Sequence, residues 1–511
     1  MAHCLVSFRG YEAPAWVLRA IADGRVPGVC LFTYNFQDLI QFRALNESLL
    51  AAAKGGGQPP PLIGVDQEGG QLMAISGGAT ELPGNMAVGA TRSTEFAAAT
   101  GRILAAELLA LGCNLNFAPV LDVASRPENP VVGLRAFGDD PDVVARLGVA
   151  MLRAMQEAGV LASAKHFPGH GNTTVDSHHA GASVERSLEE LEAVELVAFE
   201  AAFAAGLASV MTAHVRYPTL DDRPATFSRA ILTDLLRERL GYDGLVITDA
   251  LDMQALAGTP ERDRARLALA AGADLPLLGH LEGQEAMVDA LADSGYPASR
   301  RRIERVRSTL GYELPPLDPG AWAEHRDTAA TMARAAITVV SGAENLPLRL
   351  DRGDRLALVT VVSGNLTPAE TLVTETNPLV TQVRRRHADT IAIAIGYGAD
   401  EAAVIDAAAR CRGAAAVVLA TVNAATDAGQ RLLFDRLVTL GLRPHVVALR
   451  SPVDAAYLPD AESVICSFGR RSIQTEAAAA VLFGEARAAG ELPLRLPHVR
   501  PPYPVPETAT G

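Results

Sequence analysis

The stretch VLASAKHFPGHGNTTVDSH, residues 160–178, joins two kinds of sequence. Val160–Ala164 is small and apolar, the pattern of a buried strand, and Lys165 and His166 fall where that strand would end. Pro168-Gly169-His170-Gly171 does not suit a helix interior, because proline lacks a donor and glycine loses backbone entropy there. The segment therefore reads as an irregular loop at a strand terminus, loaded with groups that can titrate near neutral pH. Barrel enzymes carry their reactive groups at such strand ends. Lys54 and Lys165 are the only lysines of the chain. In so arginine-biased a composition, a lysine inside a His/Asp loop suggests a need for a compact ammonium, with chance placement as the plain alternative.

Working outward, the first 310 or so residues alternate short apolar runs with long Ala/Leu/Glu/Arg stretches. The expected strands are Cys4–Phe8, Gly28–Thr33, Leu62–Asp66, Cys113–Pro119, Val160–His166, Ser209–His214, Leu245–Asp249 and Ala273–Leu278. Amphipathic patterns at Thr91–Leu111, Pro141–Ala158, Leu188–Ala205 and Ser228–Leu240 separate them. Eight strands with intervening helices predict a (β/α)8 barrel over residues 1–311. Asp66, Asp122, Lys165, His166, His214 and Asp249 all fall at or just past the carboxyl end of a strand, so one mouth would gather them. Residues 312–335 open on a Pro-rich linker and continue into a helix, Trp322–Ala335. Residues 336–497 repeat a strand–helix alternation, with strands at Leu356–Val361, Thr390–Ile395, Ala415–Ala420, His445–Leu449 and Ser463–Phe468. That predicts an α/β sandwich domain with a mostly parallel sheet. It holds no glycine-rich nucleotide fingerprint beyond the short Gly396-Tyr397-Gly398. Residues 498–511 form a Pro-rich tail.

Bulk properties narrow the class. The chain has 511 residues, 49% hydrophobic and 20% charged, with a formal net charge of −14. That balance suits a globular enzyme with a neutral substrate and argues against nucleic acid as a partner. The five cysteines follow no metal or disulfide spacing and read as buried small hydrophobes in a reducing compartment. No apolar run is long enough for a membrane span, and the N-terminus lacks the layout of a secretion signal. A cytoplasmic protein that does not engage membrane is expected.

Several positions could carry chemistry. Asp249 ends the run Leu245–Thr248 and could act as nucleophile or electrostatic stabiliser, or simply cap a helix from Leu251 onward. Asp252 is the better surface-helix candidate. Asp176 and His178 flank Ser177, and an aspartate beside an imidazole makes a proton shuttle, with an Asx turn as the alternative. Asp66, in GVDQEGGQ (64–71), sets a carboxylate beside a glycine turn that lets a ligand approach, or else caps the chain. Arg135, in GLRAFG (133–138), offers a donor fork on a loop, although most such arginines are only solvated. His166, His170, His178, His179 and Asp176 could ligate a metal, but their spacing matches no familiar zinc pattern. No metal and no cofactor is expected.

These segments resemble glycoside hydrolase family 3, in its β-N-acetylglucosaminidase branch. They are GVDQEGGQ (64–71), NLNFAPVLDV (114–123), NPVVGLRAFG (129–138), KHFPGHGNTTVDSH (165–178), MTAHV (211–215) and GLVITDALDM (244–253), in the family's order. FGEARAAGELPLRLP (483–497) resembles the end of the family's second domain. The resemblance implies a retaining exo-β-N-acetylglucosaminidase acting on cell-wall muropeptide or chitin fragments, a peptidoglycan-recycling type of role. Asp249 would be the nucleophile, and His178 paired with Asp176 the acid/base. Asp66, Arg135, Lys165 and His166 would hold the sugar, with His214 counted among them. The loop bearing His178 would close over the bound ring. A histidine in place of a carboxylate acid/base repels anions less, so a phosphorylase is an alternative; a non-catalytic sugar-binding protein is another. Gln71 and Ala74 stand where relatives often have arginine, and Ala182 where proline is common. The chain enters its first strand almost at once, which leaves an upstream start open.

Overall fold

A computed structural model describes residues 3–176, 181–292, 295–371 and 377–496. His178 and His179, like the tail from His498, lie outside the described residues. The chain divides into two compact units. The first comprises residues up to Glu81, Ser93–Arg326 and Thr367–Thr371; the second comprises Leu82–Arg92, Asp327–Leu366 and residues from Leu372 onward. Thr367–Thr371 therefore falls in the first unit although the chain around it falls in the second.

The first unit is built on a closed barrel of β1 (Leu5–Val6), β2 (Gly28–Leu31), β3 (Leu62–Val65), β4 (Leu115–Asn116), β5 (Leu161–Phe167), β6 (Ser209–Thr212), β7 (Leu245–Ala250) and β8 (Leu275–Leu277). All eight expected strands are present, each paired in parallel with its sequence neighbours, and β1 closes the ring on β8. Nearly every strand residue is buried, because helices cover the outside and side chains fill the inside. Leu5, Cys30, Leu62, Leu115, Phe117, Met211, Ile247 and Leu277 share one apolar cluster. Gly64 admits the Phe117 ring: a Cβ at that glycine would lie 2.7 Å from its Cζ. The outer helix Pro141–Glu157 starts where local chemistry dictates. Proline occupies its first turn, where no donor is needed, and Asp140 accepts from the Asp142 and Val143 amides.

The second unit carries a six-stranded sheet. Its strands are β9 (Thr338–Ser341), β10 (Leu356–Val362), β11 (Thr390–Gly396), β12 (Ala416–Thr421), β13 (His445–Ala448) and β14 (Ser463–Cys466), in the order β9-β14-β13-β12-β10-β11. Five strands run parallel, as expected. The sixth, β9, is an antiparallel edge on β14 that the sequence did not announce. It follows the helix Ala323–Ala336 after a single residue, so no turn chemistry separates the two patterns. All five cysteines are buried and free. Among the described residues, no helix is long and apolar enough to cross a membrane.

The Phe117 ring is a direct test of the barrel interior. Phe117→Ala should cost about 3–5 kcal/mol, seen as a lower urea midpoint at unchanged slope. A loss under about 1 kcal/mol would show that the ring is not part of a packed core.

Candidate active site

The carboxyl ends of the barrel strands open into a cavity of about 430 Å³, within the range of small-molecule sites. Asp66, Arg135, Lys165, His166 and Asp249 all line it. The strand-end rule had placed Asp66, Lys165, His166 and Asp249 on one mouth, and Arg135 joins them in the cavity from its loop.

Lys165 lies in β5 and is almost wholly buried. Its Nζ is 2.5 Å from Asp66 Oδ1 and 2.7 Å from Glu68 Oε1. Glu68 in turn takes both arms of the Arg135 fork, Nε to Oε2 at 2.9 Å and Nη2 to Oε1 at 2.8 Å. The cluster holds two cations and two carboxylates, so burial does not leave a net charge stranded. Burial works against the Glu68 charge, but Arg135 and Lys165 outweigh it and hold the carboxyl at about 2. Burial likewise opposes the Lys165 charge, and Asp66 and Glu68 more than offset it, raising the ammonium. For Asp66 burial wins and its carboxyl rises, despite Lys165. Glu68 was not singled out in the sequence, although it lies two residues beyond Asp66, on the alternation that sends both side chains the same way.

A second buried pair stands beside the first. His166 Nδ1 is 2.6 Å from Asp122 Oδ2, and Asp122 Oδ1 accepts from the amides of His166 and His170 at 3.1 and 2.7 Å. Burial first, then Arg135, push His166 well below its ordinary value, so the ring is neutral at working pH. A neutral ring that donates from Nδ1 to Asp122 leaves Nε2 as an acceptor. That nitrogen faces Arg135 Nη2 at 3.4 Å.

The loop after β5 is tied down along its first half. Asn129 Nδ2 donates to the His170 and Gly171 carbonyls at 2.9 and 3.2 Å, while its Oδ1 accepts from the Val131 and Val132 amides. Tyr217 Oη donates to the Gly169 carbonyl. A Cβ at Gly171 would sit 1.7 Å from the Val123 carbonyl oxygen, so only glycine fits there. Asp176 is buried at the end of this stretch.

Two of the strand-end residues expected at the mouth, Asp122 and His214, do not line the cavity: Asp122 is fully buried behind His166, and His214 is placed differently again. It is buried, with Nδ1 2.8 Å from Thr226 Oγ1 and Nε2 2.9 Å from the Ala250 carbonyl. It does not line the cavity and instead braces the end of β7 beside Asp249. Asp249 is half-buried, and its Oδ1 accepts from the Ala250 amide at 2.7 Å. The helix expected from Leu251 is not formed there: Gln254–Leu256 is a short 3-10 turn and the next helix is Glu261–Ala271. Asp252, expected on that helix surface, is half-buried and lines the cavity instead.

Gln71 and Ala74 find a local explanation. Gln71 Nε2 donates to the Ala369 carbonyl at 2.9 Å, and the Thr371 amide donates to the Gln71 carbonyl at 2.8 Å. Thr371 Oγ1 accepts from the Met73 amide at 2.9 Å. Ala74 lines the cavity with Pro368, Ala369 and Thr371. Among the described residues, no group of three or more His, Cys, Asp or Glu side chains is placed to hold a metal ion.

Glu68→Gln should cost about 3–5 kcal/mol, because it leaves Lys165 and Arg135 with one carboxylate between them. The pH dependence has a definite sign. A carboxyl lowered from 4.5 to about 2 contributes stability above pH 4.5 that is lost as pH falls toward 2. Urea unfolding from pH 6 to 2 should therefore show a shallower acid loss in the variant than in the wild type. Parallel curves would contradict the pairing.

The comparisons with known proteins agree with this architecture. The model of the glycosyl hydrolase family 3 N-terminal domain matches residues 12–307. A β-hexosaminidase of Chromobacterium violaceum is 40% identical over 310 residues, covering 59% of this chain and 85% of that protein. A solved family 3 β-N-acetylglucosaminidase from Paenibacillus sp. FPU-7 is similar along almost the whole chain, at 32% identity and a TM-score of 0.88, covering 97% of this chain and 98% of that one. NagZ from Neisseria gonorrhoeae, at 31% identity and a TM-score of 0.56, covers 65% of this chain and 97% of its own. With the family model spanning more than half of its length, the chain belongs to glycosyl hydrolase family 3 and is a glycoside hydrolase.

Proposed function

We propose that this protein is a retaining exo-β-N-acetylglucosaminidase. The observation that carries the reading is that the Asp249 carboxylate lines the same cavity as the Asp66–Lys165–Glu68–Arg135 network, in a chain similar along nearly its full length to a family 3 β-N-acetylglucosaminidase. A rigid set of charged acceptors and donors suits the hydroxyls of one neutral sugar ring. Asp66 would accept from hydroxyls, Lys165 and Arg135 would donate, and neutral His166 would accept at Nε2. His214 serves as a positioning residue through the Ala250 carbonyl.

The chemistry runs in two displacements. An Asp249 oxygen attacks the anomeric carbon as the bond to the leaving oxygen breaks, and His178 supplies that oxygen with a proton. Asp176 orients the imidazole and stabilises its charged form. Water then attacks the anomeric carbon, gives its proton back to His178 and releases Asp249, so the sugar leaves with its configuration retained. Chitin fragments and muropeptides both present the required terminal N-acetylglucosamine.

Aryl β-glycosides test this reading. The N-acetylglucosaminide should be hydrolysed well ahead of the glucoside and the xyloside, and the products should not change when phosphate is added. A sugar 1-phosphate in the mass spectrum would turn the assignment to phosphorolysis. Asp249→Ala should lose on the order of 10⁴-fold or more in kcat. His178→Ala should lose about 10²-fold or more on poor leaving groups and far less on dinitrophenolate. Equal losses on both would remove the acid role.

A further inference from the structure

The mouth of the barrel has two unlike arcs. The ends of β3, β4 and β5, with the loop bearing Arg135, carry the charged network. The ends of β2 and β8 and the turn after β7 carry an aromatic panel and one further carboxylate. Phe32 follows β2 directly, Tyr34 comes two residues later, and His280 follows β8. The Phe32 and Tyr34 rings stack with centroids 5.4 Å apart and planes 23° from parallel. The His280 ring lies 4.9 Å from Phe32 and 5.3 Å from Tyr34, and its Nδ1 is 3.0 Å from Tyr34 Oη. All three rings line the cavity that Asp249 lines, and none of them is fully buried. A stacked, hydrogen-bonded panel held open at a cavity wall does little for the core; it presents a preorganised apolar face with polar edges.

Asp252 completes the arc. It lines the same cavity, and its Oδ1 is shielded from solvent with no hydrogen-bond donor reaching it among the described residues. Gly279, just before His280, makes room for it: a Cβ there would lie 1.8 Å from that oxygen. A shielded carboxylate oxygen without a donor is costly, and a ligand hydroxyl would remove the cost.

We propose that Phe32, Tyr34, His280 and Asp252 seat the leaving-group ring of the substrate, a neutral pyranose such as a second N-acetylhexosamine. The seat rests on the glycosidase reading and extends it from the ring that is cleaved off to the ring that departs. One face of a pyranose is a plane of C–H groups that packs on an aromatic panel, and its rim carries the hydroxyls a carboxylate accepts from. An acidic second ring would bring a carboxylate toward Asp252. The Arg9 guanidinium lies 5.0 Å over the Tyr34 ring but is exposed, so water and salt screen its pull.

The test compares kcat/KM for the wild type, Tyr34→Ala and Asp252→Ala on three substrates. These are N-acetylglucosaminyl fluoride, which has no departing ring, the β-1,4 disaccharide of N-acetylglucosamine, and the same disaccharide with a lactyl carboxylate on its second ring. The ratio of neutral disaccharide to fluoride should fall about tenfold or more in each variant. The wild type should prefer the neutral disaccharide to the acidic one, and Asp252→Ala should narrow that preference. An unchanged ratio, an equal collapse on all three substrates or a wild-type preference for the acidic ring would each overturn the seat. A wild type inert toward the fluoride would overturn the glycosidase reading itself, and the seat with it.

Discussion

The pairing of Lys165 with Asp66 and Glu68 is the constraint around which the mouth of the barrel is arranged. A lysine this deeply buried loses hydration worth several kcal/mol, and only close, well-oriented partners offset that loss. Asp66 and Glu68 supply them from the end of β3, and Arg135 keeps Glu68 ionised from a separate loop. Three chain segments far apart in sequence are thereby fixed against one another. Asp122 repeats the device on a smaller scale, holding the His166 ring and the first turn of the following loop through three bonds. The polar groups facing the cavity are thus oriented before any ligand arrives, which is what selective sugar binding requires.

That rigidity has a counterpart at β7. Its last residues are braced from behind by His214, whose two ring nitrogens are both engaged with protein atoms. Asp249 therefore projects from a supported strand end rather than from a loose loop. On the proposed mechanism the division is physical: fixed groups hold the ring and the nucleophile, while the proton donor rides on the glycine-bearing loop. The first half of that loop is anchored by Asn129 and Tyr217.

Much of this was legible in the sequence, for identifiable reasons. The barrel strands are short, almost fully apolar and punctuated by turn residues, so their number and order could be read. The convergence of Asp66, Lys165, His166 and Asp249 followed from the rule that strand ends share one mouth. The edge strand β9 escaped because it abuts a helix with no breaker between them. Glu68 escaped because a second carboxylate two residues past the first looks like ordinary loop polarity until Arg135 is placed beside it. Asp252 reads as a helix-face residue because a helix is expected from Leu251 onward. The chain turns there instead, burying Leu251 and Met253 and bringing the carboxylate to the cavity. The aromatic panel had no local signature, since its rings come from the ends of two strands nearly 250 residues apart.

The account turns on the Asp249 carboxylate facing a sugar that the Lys165 cluster holds. Incubation with a fluorinated N-acetylglucosaminide that slows the second displacement, followed by intact-mass measurement and peptide mapping, examines that claim directly. The account predicts one added glycosyl unit, carried by the peptide that contains Asp249. A label on any other residue, or steady turnover of an unmodified enzyme, would contradict it.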